Sequence, residues 1–154
     1  MFYHKSNDNN MKISTKGRYA LRMLIELAQR KDEGFIALKE IAAKQGISKK
    51  YLEQIVPIMN HSGLLMTNRG YQGGYKLAKE PSEVTVGMIL RATEGSMAPV
   101  SCLENQQELC DRSEACMALT VWKGLEKVIN EYLDGITLQD ILENNRHMIH
   151  DYII

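Results

Sequence analysis

The stretch LKEIAAKQGISKKYLEQIVPIMNHSG, residues 38–63, leaves few folds open. Its first part places Leu38, Ile41 and Ala42 on one helical face. Gly46 breaks that pattern, and Ile47 follows as an inward-facing residue. Ser48 then offers an N-cap, and Leu52, Ile55, Val56 and Met59 recur as the buried stripe of a second helix. Two helices joined by a short turn containing glycine form a helix-turn-helix candidate. Pro57 lies inside the second helix and is expected to kink it or shorten its regular part.

The flanks extend the pattern. Upstream, STKGRYALRMLIELAQR has a cap at Ser14 or Thr15. Tyr19, Leu21, Leu24, Ile25, Leu27 and Ala28 follow at helical spacing, and Gly34 ends the segment. Downstream, Leu64–Asn68 and Tyr75–Ala78 have strand character around the glycine-rich turn RGYQGG. That predicts a β-hairpin whose tip carries Arg69 and Tyr71. The expected fold is therefore mainly α with a small β-hairpin wing: a winged helix-turn-helix followed by a long helix. The outward face of the third helix carries Lys49, Lys50, Glu53 and Gln54. Ammonium groups suit phosphate or guanine, amides suit adenine, and carboxylates suit cytosine. With Ser48 and Tyr51 beside them, and Arg69 and Tyr71 on the wing, they are the expected DNA contacts. Arg69 is placed to enter a narrow minor groove.

Charge supports the same reading. The net charge is zero, but Met11–Lys79 holds thirteen Lys/Arg against five Asp/Glu, a balance of +8. Residues 80–154 reverse it, with five against thirteen. A basic half for a polyanion and an acidic half with another task fit this asymmetry.

In the acidic half, TVGMILRATEG predicts a short helix ended by Gly95. From Met117, MALTVWKGLEKVINEYLDG predicts a long one. Ala118, Val121, Trp122, Leu125, Val128, Ile129, Tyr132 and Leu133 form a stripe wider than one contact needs. One edge is expected to pack on the chain's own domain and the other on a second copy. A homodimer would read a near-palindromic double-stranded site. Thr137 can cap a final short helix.

Between these helices lie all three cysteines, Cys102, Cys110 and Cys116, within a polar, acidic segment. An odd number of thiols argues against a disulfide framework. Iron–sulfur ligation suits three thiolates plus a fourth donor. Structural zinc favours C-x₂₋₄-C spacing, which these gaps exceed. A thiol switch, with one cysteine oxidised and another resolving it, remains an alternative. No nucleophile–base pair, phosphate loop or paired carboxylates point to an enzyme. A protein-docking winged helix is the reading from another class.

From Met11 to about Leu142 the chain resembles the Rrf-type family of bacterial winged-helix regulators. The matching stretches are MKISTKGRYALRMLIELA, IAAKQGISKKYLEQIV and RGYQGGYKLAK, then the three-cysteine segment, LTVWKGLEKV and ITLQDIL. The resemblance implies a DNA-binding homodimer with a long dimerisation helix. By position it implicates Lys50, Glu53 and Gln54 in base reading and Arg69 in the wing. It makes Cys102, Cys110 and Cys116 ligands of an iron–sulfur cluster, with [2Fe–2S] ahead of [4Fe–4S]. Two positions depart from the family. Leu119 stands where iron–sulfur members carry a histidine, and Arg18 where some carry an acidic residue. The fourth ligand is open among loop carboxylates, Glu26 and histidines elsewhere.

The expected organisation is an extension at 1–10, a winged helix at 11–80, a connecting helix and cysteine loop at 81–116, dimerisation and C-terminal helices at 117–145, and a tail at 146–154. With no signal-peptide or membrane-spanning run, the expected location is the cytoplasm.

Overall fold

The computed structural model describes residues 12–104 and 114–151, with side chains described to Asn145. The expected extension at 1–10, Cys110 and the last residues of the expected tail lie outside them.

Helix α1 (Thr15–Gln29) begins where Ser14 Oγ accepts the Gly17 N–H at 3.1 Å. Its buried face includes Ala20, Met23, Leu24, Leu27 and Ala28, while Tyr19, Leu21 and Ile25 flank the core half-buried. α1 stops at Gln29, and a 3₁₀ turn (Lys31–Glu33) leads to Gly34 at φ 79°. Helix α2 (Leu38–Gln45) ends at Gly46 in the left-handed conformation, where the missing Cβ removes the usual penalty. Helix α3 (Lys49–His61) starts from Ser48, whose hydroxyl accepts the Tyr51 N–H at 3.1 Å. Leu52, Ile55, Val56 and Met59 are its buried stripe.

Pro57 does not shorten α3, which runs on to His61. Proline leaves the carbonyl four residues earlier without its helical donor. Both Pro57 and Glu53 are exposed, so water can satisfy that carbonyl.

Strands β1 (Leu65–Asn68) and β2 (Gly74–Leu77) pair antiparallel, with Leu65 opposite Leu77 and Asn68 opposite Gly74. A single bridge adds Ile36 to the outside of β2, through Ile36 N–H to Tyr75 O at 2.9 Å and Tyr75 N–H to Ile36 O at 2.8 Å. Gly74 is required by this approach: a Cβ there would lie 2.3 Å from the Ile36 carbonyl oxygen.

Helix α4 (Val86–Glu94) is capped by Thr85, whose hydroxyl accepts the Met88 N–H, and ends at Gly95. Helix α5 (Leu119–Asp134) follows the cysteine segment, and α6 (Leu138–Asp151) runs past 145. Thr137 caps α6 reciprocally with Asp140: each side chain accepts the other's N–H, at 3.1 and 2.8 Å. Those bonds hold the Asp140 carboxyl below its ordinary range, the backbone bond most strongly. The chain then returns to the winged half. Leu138 is fully buried in the same core as Leu24, Ile55, Val84 and Ile89. No helix among the described residues is long and apolar enough to cross a membrane.

Candidate nucleic-acid interface and cysteine segment

A groove runs between α3 and the hairpin. Lys49 and Glu53 line one wall, and Thr67, Asn68 and Arg69 line the other. Lys39 from the first turn of α2 also lines it. Glu53 is exposed and lies 3.6 Å from the Lys49 ammonium one helical turn earlier. The Thr67 hydroxyl donates to Asn60 Oδ1 at 3.1 Å, joining the end of α3 to β1.

Three of the eight residues expected at the interface therefore share this groove: Lys49, Glu53 and Arg69. Lys50 and Gln54 are exposed on α3 but do not line it. Ser48 is committed as the α3 cap. Tyr51 is half-buried, its ring meeting Tyr19 edge-on at 5.2 Å. Tyr71, at the hairpin tip, is fully exposed. Sequence reasoning passed over Lys39, Asn60, Thr67 and Asn68. Asn60 lies seven residues after Glu53, two turns along the same helical face, so extending the α3 pattern past Pro57 would have found it.

The cysteine segment joins α4 to α5. Cys102 sits half-buried in a 3₁₀ turn (Ser101–Leu103), and Cys116 is exposed just before α5, its carbonyl accepting the Leu119 N–H at 3.2 Å. Both are free thiols. Cys110 lies outside the described residues, and among those described no three acidic, histidine or cysteine side chains converge as a metal site. Three soft thiolates suit iron–sulfur chemistry as a donor set. Glu26 is withdrawn from the fourth-ligand candidates: it is buried, accepts from Gln45 Nε2 at 2.8 Å and has the Arg30 guanidinium at 4.0 Å. Arg18 points its guanidinium to Thr15 Oγ1 at 3.0 Å, and Leu119 opens α5.

Two carboxylates tie the segment's neighbours together. Glu94, the last residue of α4, accepts both the Ser14 N–H (3.0 Å) and the Ser14 hydroxyl (2.6 Å) at the start of α1. Asp134, at the end of α5, forms a two-pronged pair with Arg91 of α4 at 2.7 and 2.8 Å, and Arg91 also donates to Asn130. Arg91 holds the Asp134 carboxyl below its ordinary range. Gly17 and Gly87 make room for these groups, since a Cβ at either would collide with Glu94 or Asp134.

α5 has no buried residue. Leu119, Trp122, Ile129 and Leu133 are half-buried on one side. Val121, Leu125, Val128 and Tyr132 form a second, open stripe at intervals of three and four, and Met117 (92% exposed) stands open just before the helix. That is the spacing of a helix seam.

Comparison with known proteins places this arrangement. A profile of the Rrf2 family, described as an iron-dependent transcriptional regulator, matches residues 13–144. The transcriptional regulator IscR of Aliivibrio salmonicida is 36% identical over 135 residues, covering 88% of this chain and 79% of that protein. The transcriptional regulator CymR of Bacillus subtilis is 40% identical over 131 residues, covering 85% and 89%. The solved structure of that CymR, titled the global cysteine regulator, superposes with a TM-score of 0.71 over 86% of this chain and 97% of its own. An IscR from T. potens gives 0.69 at 39% identity, covering 87% and 88%.

Proposed function

This chain belongs to the Rrf2 family of transcriptional regulators, and from that premise we propose a cytoplasmic homodimer that binds a near-palindromic duplex and holds an iron–sulfur cluster on Cys102, Cys110 and Cys116. The relatives are regulators of transcription rather than enzymes. The observation that carries the DNA reading is the groove shared by Lys49, Glu53 and Arg69 on α3 and the wing. α3 enters the major groove. Lys49 and Lys50 meet phosphates or guanine, Glu53 accepts from cytosine N4, and Gln54 addresses adenine. Ser48 fixes the start of α3, Tyr51 offers its hydroxyl to a phosphate, and Arg69 and Tyr71 reach the neighbouring minor groove. The open stripe on α5 is the dimer seam.

The similarity to IscR proteins and the family's iron-dependent description support the cluster. Bound there, a cluster supplies a centre that responds to iron supply and oxidants. The chain's own part is mechanical. Cys116 adjoins α5, and the segment bearing Cys102 begins one residue after Glu94, which holds Ser14, the cap of α1. A rearrangement of the segment therefore acts on the dimer helix and the winged helix together, favouring one of two dimer geometries on DNA.

The test is anaerobic purification with an iron and sulfide count per chain. Stoichiometric iron and sulfide with bands between ~320 and ~460 nm support the cluster, and their loss in a Cys102→Ser, Cys110→Ser, Cys116→Ser variant assigns the ligands. Electron paramagnetic resonance then distinguishes [2Fe–2S] from [4Fe–4S]. The similarity to CymR favours a second reading, a thiol switch. An iron-free protein after reconstitution, with duplex affinity that changes on oxidation and recovers on reduction, selects that reading instead.

A further inference from the structure

Glu26 is the one charged side chain among the described residues that is buried, at 2% exposure. A buried carboxylate costs free energy unless it is bonded, and even a bonded one is weak evidence for stability. What it bonds is informative. Glu26 Oε2 accepts from Gln45 Nε2 at 2.8 Å, and Gln45 is the last residue of α2, directly before the Gly46 turn into α3. Arg22, one turn before Glu26 on α1, donates through Nε to Gln45 Oε1 at 3.3 Å and through Nη2 to the Gln45 backbone carbonyl. The end of α2 is therefore held to α1 by three directional bonds, one of them on a terminal carbonyl that has no donor within its own helix.

The same network reaches the other two corners of the motif. At the start of α2, Glu40 accepts from Arg30 Nη2 at 3.0 Å, so α2 is fastened to α1 at both ends. Arg22 also lies over the Tyr19 ring at 5.5 Å, and Tyr19 meets Tyr51 in the first turn of α3. The apolar contacts between these helices carry no directional preference and tolerate small slides of one helix on another. Hydrogen bonds to a fixed amide weaken steeply when misaligned.

We propose that Arg22, Glu26 and Gln45 form a polar clamp that sets the angle at which α3 is presented to DNA, making them positioning residues for base reading rather than DNA contacts. The clamp rests on the DNA-binding reading above. It acts on the side chains of Glu53 and Gln54, whose bonds to base edges need angular precision. Phosphate contacts by lysine, a point charge on a flexible stem, tolerate a tilt of α3.

The experiment compares affinity for the duplex that wild type enriches from a random pool with affinity for a scrambled duplex, across a salt series. The full-length chain is used, with melting temperature measured in parallel. Gln45→Ala and Arg22→Ala each lower the ratio of the two affinities roughly tenfold, the scale of a single mismatched base pair, while the scrambled-duplex affinity and its salt slope stay at the wild-type value. Glu26→Gln keeps an acceptor for Gln45 and retains the ratio, whereas Glu26→Ala loses it. An unchanged ratio in Gln45→Ala and Arg22→Ala, or an equal loss on both duplexes, overturns the clamp. A wild type that binds neither duplex at low salt refutes the DNA reading, and the clamp with it.

Discussion

α1 and α5 are helices of nearly the same length, both amphipathic, yet α1 buries seven residues and α5 none. The core of the winged half is closed within the chain: α1, α2 and α3, with Val84, Ile89 and Leu138 contributed from the second half, leave only fringe residues half-exposed. Every buried side-chain nitrogen or oxygen among the described residues has a partner. α5 instead offers a half-buried side to its own chain and an open seam to something else. An amphipathic helix gains most of its stability from what it packs on. The core around the winged half is thus closed within this chain, with residues of the second half as part of it. α5, by contrast, keeps one apolar face open, the face proposed as the dimer seam.

The same substitution made in each region breaks or sharpens this contrast. Leu52→Ala removes a fully buried side chain and is expected to cost about 2–5 kcal/mol, independent of protein concentration in a denaturant titration. Leu125→Ala, on the seam, is expected to raise the dimer dissociation constant about tenfold, an interface loss of about 1–2 kcal/mol. Sedimentation equilibrium reads that change. A concentration-independent loss at Leu125 as large as that at Leu52 would mean that α5 is buried within its own chain.

A smaller effect is expected on the wing. Arg69→Ala should weaken binding to the selected duplex and lower the magnitude of the salt slope by about one for each phosphate it no longer neutralises. Fluorescence anisotropy across salt concentrations measures both. An unchanged affinity and slope would leave the groove without its second wall.

The smallest effect concerns the joint between α4 and α5. Asp134→Asn weakens the pair with Arg91, which is part-exposed, at a cost of about 0.5–1 kcal/mol at neutral pH. The Arg91 bond lowers the folded pKa of Asp134 relative to the unfolded chain. Its contribution is therefore present above the ordinary carboxylate value of about 3.9 and is lost as pH falls through the folded value. Stability of the variant should fall less steeply than wild type in that acid window.

Periodicity made most of this fold legible. Leu52, Ile55, Val56 and Met59 form the α3 stripe as spaced, and Ser14, Ser48 and Thr137 cap the helices that their positions suggest. Features that depend on distant partners were not legible. Glu26 is a candidate ligand by residue type until Gln45, nineteen residues on, is brought against it. Gly74 looks like any turn glycine until Ile36 lies beside it. Leu138 carries no local sign that the chain returns to the first core. Of the two outcomes expected at Pro57, the shortening does not occur, because the site faces water and the freed carbonyl can be hydrated there. At the interface, residue chemistry marked Lys49, Glu53 and Arg69, while Lys39 became a candidate only once α2, α3 and the hairpin enclosed one groove.

The measurement that tests the account most directly is selection from a random duplex pool by the purified full-length protein. A winged helix completed by a two-fold α5 seam predicts enrichment of a near-palindrome, its half-sites related by an integral number of helical turns. Enrichment of a single asymmetric half-site, or no enrichment at low salt, would contradict it.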